Sequence, residues 1–296
     1  MVTTRGGSAR PVAVALALVG LGLALAPVVF GMFHRAPLGA EMIQDFAPLM
    51  TKERLAGFQG HLAGIDASVQ ELDPLVEEQP DIGSPSYATF SKDWPEIHTT
   101  MTSLMDQVAA NREGYDAVAS LPDFRLFPWF FAVPGVIIFL LAGYAAVTGR
   151  DGWWLRGPAA AIGVALVVLP FAVGMFHKAP QGAQMMGAFE TIETTENVAR
   201  IQGYFATMAS GQGAIRLDIA PELVRAGVPH PATERLDAEW IGILNDMTPM
   251  IGAMSDSVDN YQAVASLPSF RLFPWFFVAP GAVLVLISFI PRKARP

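Results

Sequence analysis

Two histidines stand at the same place in a short motif that occurs twice. The two copies are Gly31-Met32-Phe33-His34-Arg35-Ala36-Pro37 and Gly174-Met175-Phe176-His177-Lys178-Ala179-Pro180. Imidazole titrates near neutral pH and binds transition metals, so His34 and His177 are candidates for a proton relay or a symmetric metal site. A closed metal site needs about four ligands, and the nearest acid is not shared, since Glu41 corresponds to Gln184. We therefore expect two interfacial histidines and no bound metal.

An arginine followed by a run of aromatic residues also occurs twice. The motifs are Phe124-Arg125-Leu126-Phe127-Pro128-Trp129-Phe130-Phe131 and Phe270-Arg271-Leu272-Phe273-Pro274-Trp275-Phe276-Phe277. A cation next to tryptophan is typical of the membrane–water interface, where the pair sets the depth of a helix. The alternative is lipid contact, in which Arg125 and Arg271 bind phosphate headgroups. Trp129, Trp275 and their aromatic neighbours would then line grooves for acyl chains.

A proline followed by glycine occurs in both of the apolar segments that begin with these aromatic motifs. Pro134-Gly135 and Pro280-Gly281 match across the two copies. A proline inside a membrane helix frees a backbone carbonyl and permits a kink, so all four residues are hinge candidates. The simpler interpretation, which we favour, is that they serve helix packing. Pro37 and Pro180 predict a change of chain direction just beyond two other apolar segments.

No cysteine is present among the 296 residues. Its absence excludes disulfide bonds, thiolate catalysis, iron–sulfur clusters and cysteine-bound zinc. The chain also lacks the phosphate-binding, nucleophile-elbow, His-Glu-x-x-His and dinucleotide-binding patterns of common enzyme families. We therefore expect a protein that is not an enzyme and needs no cofactor.

Four stretches without Asp, Glu, Lys or Arg must position these motifs. They are residues 11–34, 126–149, 157–176 and 272–291. About 20 apolar residues cross the roughly 30 Å hydrocarbon core of a bilayer as a helix, whereas a soluble helix of that length would carry a polar face. The sequence therefore predicts an all-α integral membrane protein with four transmembrane helices. Ion-coupled transport is disfavoured, because such transporters usually carry an ionisable group within the membrane.

The charges between the spans predict the orientation of the chain. Residues 1–10, 150–156 and 292–296 contain seven Lys or Arg and one acid, while residues 35–125 contain 6 basic and 15 acidic residues and residues 177–271 contain 6 and 11. Short basic segments stay in the cytoplasm. We expect both termini and the 150–156 turn to be cytoplasmic, in the inner membrane of a bacterium. The two long acidic segments would then be extracytoplasmic and would not bind nucleic acid.

The matching motifs define two tandem copies of one unit. They are separated by 143 residues in the early part of the unit and by 146 in the late part, where Ala117–Pro122 recurs as Ala263–Pro268. Both copies begin in the cytoplasm, so they form a parallel repeat with a pseudo-two-fold axis along the membrane normal. Any central site or pore is expected on that axis.

The long segments show heptad spacing, which is typical of paired helices. The seams of segment 35–125 are Leu55, Phe58, Leu62, Ile65, Val69, Leu72 and Trp94, Ile97, Met101, Leu104, Val108, Asn111, Tyr115, Val118. Those of segment 177–271 are Val198, Ile201, Phe205, Met208, Gln212, Ile215 and Trp240, Ile243, Met247, Met250, Met254, Ser257, Tyr261, Val264. Each segment is expected to form a helical hairpin. The two hairpins can bury their apolar stripes together as an antiparallel four-helix bundle.

Such a plan does not specify a function by itself. We expect a non-enzymatic protein of the bacterial cell envelope that acts as a scaffold or accessory subunit of a larger membrane complex, with the acidic bundle as its docking surface. The alternative is a carrier or channel for lipid or another apolar solute, using the arginine–aromatic motifs. The expected partners are membrane lipids and other membrane protein subunits, and a homodimer is compatible with the sequence. A sensor would need a separate signalling partner, because the cytoplasmic segments are short.

Overall fold

The computed structural model describes residues 10–150 and 152–291, and over these residues the protein is all-helical. Its α-helices are α1 (Arg10–Val29), α2 (Met32–Phe46), α3 (Lys52–Glu78), α4 (Pro85–Ala110), α5 (Arg112–Ala119), α6 (Phe127–Thr148), α7 (Trp153–Ala172), α8 (Met175–Phe189), α9 (Thr195–Ala214), α10 (Ala220–Ala226), α11 (Pro231–Ala265) and α12 (Phe273–Ser288). Short 3-10 turns precede α6 and α12, and a π-helical segment, Ile215–Ile219, joins α9 to α10. The basic residues at 5, 292, 293 and 295, and Asp151, lie outside the described residues.

The chain divides into two compact units. The first, here called the membrane unit, comprises Met1–Glu41, Gly114–Met186 and Asn260–Pro296. The second, here called the loop unit, comprises Met42–Glu113 and Gly187–Asp259. Each is described by itself below.

Four helices of the membrane unit are long and apolar enough to cross a membrane. They are Pro11–Val29, Phe124–Thr148, Trp153–Ala172 and Phe270–Ser288. Many of their large apolar side chains are exposed, among them Leu18, Leu140 and Leu286, as expected where the surrounding solvent is hydrocarbon. The protein therefore has the build of a multi-pass membrane protein.

Helices α2 and α8 begin inside two of the stretches that the sequence predicts as membrane spans. Within the predicted span 11–34, α1 ends at Val29 and α2 starts at Met32, with Gly31 between them at φ +63°. Gly174 takes the same conformation, φ +68°, between α7 and α8. Only glycine adopts this region without steric cost. The break in the chain therefore lies at these glycines, while Pro37 and Pro180 lie inside α2 and α8.

Glycines also bring the membrane helices into pairs. A Cβ added to Gly135 of α6 would lie 2.4 Å from the backbone nitrogen of Ala24 in α1. The corresponding glycine of α12, Gly281, approaches α7 in the same way, because its added Cβ would lie 2.7 Å from the carbonyl oxygen of Gly163. Helix backbones come this close in membranes only where the interface carries small residues. Thus α1 packs on α6 and α7 packs on α12.

The loop unit has one hydrophobic core to which both long segments contribute. Residues from α3 and α4, such as Phe58, Ile65 and Ile97, share it with Ile243 and Met247 of α11. The heptad seams predicted this burial, and both upstream helices begin at equivalent threonine caps, Thr51 and Thr194. The seam residues from Leu55 to Leu104, and their counterparts from Val198 to Met254, therefore supply most of this core, whereas Val118 and Val264 belong to the membrane unit.

Polar contacts also join the two segments within the loop unit. The Glu71 carboxylate of α3 accepts hydrogen bonds from the backbone N–H groups of Ala232 and Thr233, at 3.2 and 2.8 Å, in the first turn of α11. An acid at a helix N-terminus satisfies free N–H groups and interacts favourably with the helix dipole. On another part of α11, Asp246 binds Arg54 and His61 of α3.

The two copies differ in where their helices are interrupted. In the first, α4 ends at Ala110, the side-chain amide of the capping residue Asn111 donates to the carbonyl of Gln107, and α5 follows. In the second, α11 is one continuous helix through the corresponding residue, Ser257. The heptad seam is the same in both, so it predicts the buried face and not the interruption.

Candidate functional site

An apolar groove lies between α1 and α12 in the membrane unit. Its volume is about 290 Å³, near the lower end of the range for ligand pockets. One wall comes from α1 and the residue after it, including Val19, Gly22, Ala26 and Phe30. The facing wall comes from α12 and includes Trp275, Phe276, Ala279 and Pro280. The groove is bordered almost entirely by carbon atoms and suits a hydrocarbon ligand.

Small side chains leave the space open. Gly22 faces the groove, and a Cβ added there would meet no heavy atom within 4 Å. Ala26 of α1 and Ala279 of α12 are the other small residues of the lining. Deeper in the groove, the Leu23 side chain is buried. The opening is thus framed by residues too short to close it.

The corresponding residues of the other copy are larger. Ala165, Leu169 and Val133 stand where the groove has Gly22, Ala26 and Ala279. The replacements add one, three and two carbon atoms respectively. Phe30 is the exception, since Val173 is smaller; its ring packs edge-to-face on Phe276, with centroids 5.9 Å apart. The sequence itself therefore distinguishes the two sides of the membrane unit.

Two arginines flank one end of the groove. Arg35 Nη1 donates a hydrogen bond to the carbonyl oxygen of Phe30 at 3.2 Å, and Phe30 lines the groove. Arg271 is exposed and lies in the chain between Pro268 and Phe273, which both line the groove. Both arginines therefore adjoin residues that line the groove, Arg35 through a hydrogen bond and Arg271 through the chain.

The two arginine–aromatic motifs have different surroundings. Trp275 lines the groove and packs edge-to-face on Phe176, with ring centroids 5.5 Å apart. The equivalent Trp129 packs on Phe33 in the same manner at 5.2 Å, but it is not part of the groove lining. Arg125 is exposed, and its backbone N–H donates to Asp123 at 2.9 Å. The second motif therefore supplies Phe273, Trp275 and Phe276 to the groove lining, and the first motif supplies Phe131.

Phenylalanine pairs fill the region where a central site was expected. Three pairs of equivalent residues touch each other: Phe124 with Phe270, Phe127 with Phe273, and Phe131 with Phe277, at centroid distances of 5.9, 5.1 and 4.4 Å. Residues related by a two-fold axis contact each other only next to that axis. The predicted axis would therefore pass through packed aromatic rings, and the groove lies to one side of them, bordered by Phe131 and Phe273.

The histidine motif does not form a ligand cluster. His34 and His177 are both exposed, and the His177 ring is 3.2 Å from the Gln181 side chain one turn further along α8. Within residues 10–150 and 152–291, no group of three or more His, Cys, Asp or Glu side chains is placed to hold a metal ion.

The hinge candidates lie inside continuous helices. Pro134 is within α6 and Pro280 within α12, and neither helix is interrupted there. Gly135 and Gly281 make the close helix crossings described above. Both glycines are therefore packing residues of these crossings.

A buried acid in the loop unit was not singled out from the sequence. Glu193 is 4% exposed, and its Oε2 atom has no hydrogen-bond partner among the described residues. It faces a cavity of about 30 Å³ whose other lining residues are apolar, Leu104, Met105 and Met254 among them. Burial raises the pKa of Glu193 to about 7. Aligning the two copies at Thr51 and Thr194 reveals this acid, because Glu193 then stands where the first copy has the apolar Met50.

The groove residues were missed for a similar reason. Gly22, Ala26 and Ala279 carry no chemistry of their own, so a search for reactive side chains passes over them. Their signal is the size difference between the copies, which appears only after the motifs are aligned. No protein-family model matches this chain, and neither a curated protein nor a solved structure is significantly similar to it.

Proposed function

We propose that this chain is a non-enzymatic membrane protein of the bacterial cell envelope that acts as a scaffold or accessory subunit of a larger membrane complex. In this proposal it resides in the inner membrane as two parallel repeats with both termini in the cytoplasm. The loop unit is an extracytoplasmic four-helix bundle, and its acidic surface binds the partner.

The main support for this proposal is that most acidic residues lie in the loop unit and most basic residues lie outside it. The loop unit contains 23 of the 27 acidic residues and 8 of the 19 basic residues, a formal charge of −15. The remaining segments contain 4 acidic and 11 basic residues. A field of one sign over a folded surface attracts an oppositely charged surface and speeds its encounter. The partner we infer is therefore a membrane protein subunit with a basic extracytoplasmic face.

The packing of the loop unit supports a docking role. Its core is continuous, and contacts such as Glu71 with Thr233 and Asp246 with His61 join the two segments. A unit built in this way presents a fixed surface, and rigid surfaces lose less conformational entropy on binding than mobile ones.

The test is purification of the tagged full-length chain from native membranes in a mild detergent, with partners identified by mass. We expect a subunit to co-purify at low salt and to be released as ionic strength rises, because salt screens exposed charges beyond about 10 Å at 0.1 M. Membranes without the tagged chain give the background. A chain that purifies alone, with no cross-linked neighbour in intact membranes, would contradict the proposal.

The groove favours a second candidate, a carrier for lipid or another apolar solute. From Val19 to Phe30 the groove follows α1 for about 16 Å at 1.5 Å per residue, which is roughly half of the 30 Å hydrocarbon core. Transport across the whole membrane would require it to extend further. A purified chain that moves labelled lipid between the leaflets of a vesicle would favour the carrier. If transport is unchanged after Arg125 and Arg271 are both replaced by Gln, the two arginines are not required for it.

A further inference from the structure

We propose that the groove between α1 and α12 binds one acyl chain of an anionic phospholipid, whose phosphate lies at Arg35 and Arg271. This inference gives the second candidate function a ligand, and it is independent of docking by the loop unit. A bound lipid can serve a subunit as well as a carrier.

The groove has the length and chemistry of a single acyl chain. Its extent of about 16 Å along α1 corresponds to one leaflet, which is the depth that one chain of a phospholipid occupies. Val19, Leu23 and Phe276 give it a hydrocarbon wall. The groove is open at Gly22 and Ala279, both exposed, so a chain can enter sideways from the bilayer.

The charges at the end of the groove fit the headgroup. Arg35 is held against the Phe30 carbonyl, and Arg271 is next to the residues that close the groove at Pro268 and Phe273. No acidic residue is among the lining residues. Guanidinium groups bind phosphate oxygens in pairs of parallel hydrogen bonds. Two arginines beside one phosphodiester favour a lipid whose headgroup adds no positive charge, such as phosphatidylglycerol, over a zwitterionic lipid.

The opposite side of the membrane unit, formed by α6 and α7, provides a matched control within the same chain. It has the same type of cation–aromatic motif in Lys178, Arg125 and Trp129. The three small residues of the groove are replaced there by the larger Ala165, Leu169 and Val133. If the motif alone held lipid, both sides would bind. If the open volume is required, only the α1–α12 side binds.

The experiment is native mass spectrometry of the full-length chain after reconstitution with phosphatidylglycerol and phosphatidylcholine in equal amounts. We expect one retained phosphatidylglycerol per chain. The variant G22A/A26L/A279V, which installs the residues of the opposite side, should retain at least about tenfold less. Its added carbon atoms, half of them at residue 26, occupy the groove with side chains that the other copy already carries. Equal retention by this variant and by the unaltered chain would overturn the site.

Two further variants make the result specific. A165G/L169A/V133A opens the opposite side and leaves the α1–α12 groove intact, so it should still retain the first lipid. R35Q/R271Q should keep an acyl chain but lose most of the preference for phosphatidylglycerol; an unchanged preference would overturn the headgroup assignment. Thermal unfolding of every variant identifies any that is misfolded. A groove-filled variant that loses lipid but still captures its protein partner separates this inference from the docking role.

Discussion

The two sides of the membrane unit carry the same motifs and differ in the volume beneath them. Between α1 and α12, glycine and alanine leave a groove of about 290 Å³, and Arg35 donates a hydrogen bond to the lining residue Phe30. At the corresponding positions of α7 and α6, Ala165 replaces the glycine, and Leu169 and Val133 replace the two alanines. Trp129 and Trp275 pack on equivalent phenylalanines on both sides. The motifs shared by the copies therefore do not distinguish the two sides, whereas the size of the side chains beneath them does.

The loop unit shows a difference of the same kind. Glu193 and Met50 precede equivalent threonine caps, and both side chains are buried. Methionine suits an apolar core, whereas a carboxylate without a hydrogen-bond partner is costly to bury. The second copy therefore carries a titratable group where the first does not.

Replacing Glu193 by Met should produce the largest change in stability. The pKa is about 7 in the folded protein against an ordinary 4.5, so the folded state favours the protonated form. Stability from this group is fully present below pH 4.5 and is lost as pH rises through 7, a total of about 3 kcal/mol. E193M should remove this loss, so the variant should be more stable than the unaltered chain at pH 8 and similar to it at pH 4.5. Thermal unfolding in detergent across this pH range measures the difference.

The control for that prediction is nearby in the chain. Glu190 is exposed, and E190Q should leave the pH dependence unchanged. A pH profile of E193M that parallels that of the unaltered chain would show that Glu193 is ionised and solvated in the folded protein.

The glycine crossings should give the next largest effect and compare the two helix pairs directly. G135A places a methyl group 2.4 Å from a backbone atom of α1, and G281A places one 2.7 Å from a backbone atom of α7. Backbone cannot move aside as a side chain can, so each change should cost about 2 kcal/mol. On heating in detergent, both variants should lose helicity at a lower temperature than the unaltered chain.

Gly143 supplies the matched control on α6, because an added Cβ there meets nothing within 4 Å. G143A should be neutral, or stabilising through the higher helix propensity of alanine. If G135A and G143A unfold at the same temperature, α1 and α6 are not in contact through their glycines.

The smallest effect is expected at Asp246. It accepts a hydrogen bond from His61 at 3.0 Å and also binds Arg54, and the corresponding residue of the first copy is Thr100. His61, followed by Arg54, holds the pKa of Asp246 below its usual value, so this contribution is present at neutral pH and is lost as pH falls through the lowered pKa. D246N should destabilise by about 0.5 kcal/mol at pH 7, as is usual for partly exposed ion pairs. D256N, at an exposed site of α11, is the control in the same unfolding assay.

Much of the helical plan could be predicted from the sequence, because spans and seams extend over many residues. Four uncharged stretches predicted the membrane helices, and seam residues such as Phe58 and Ile97 are buried as expected. The breaks could not be placed, since Gly31 and Asn111 act through single backbone conformations that leave the hydrophobic pattern unchanged. The motifs could not predict the groove either, because the groove depends on how small the side chains are at Gly22 and Ala26.

The central claim is that two copies of one unit cross the membrane in the same orientation, and cysteine labelling tests it most directly. The chain has no cysteine, so single substitutions need no background correction. E78C in the first long segment, R225C in the second and R150C in the connecting turn all replace exposed residues. In intact cells a membrane-impermeant maleimide should label E78C and R225C, and R150C only after the membrane is opened. Labelling of E78C and R225C from opposite sides, or of R150C in intact cells, would contradict the account.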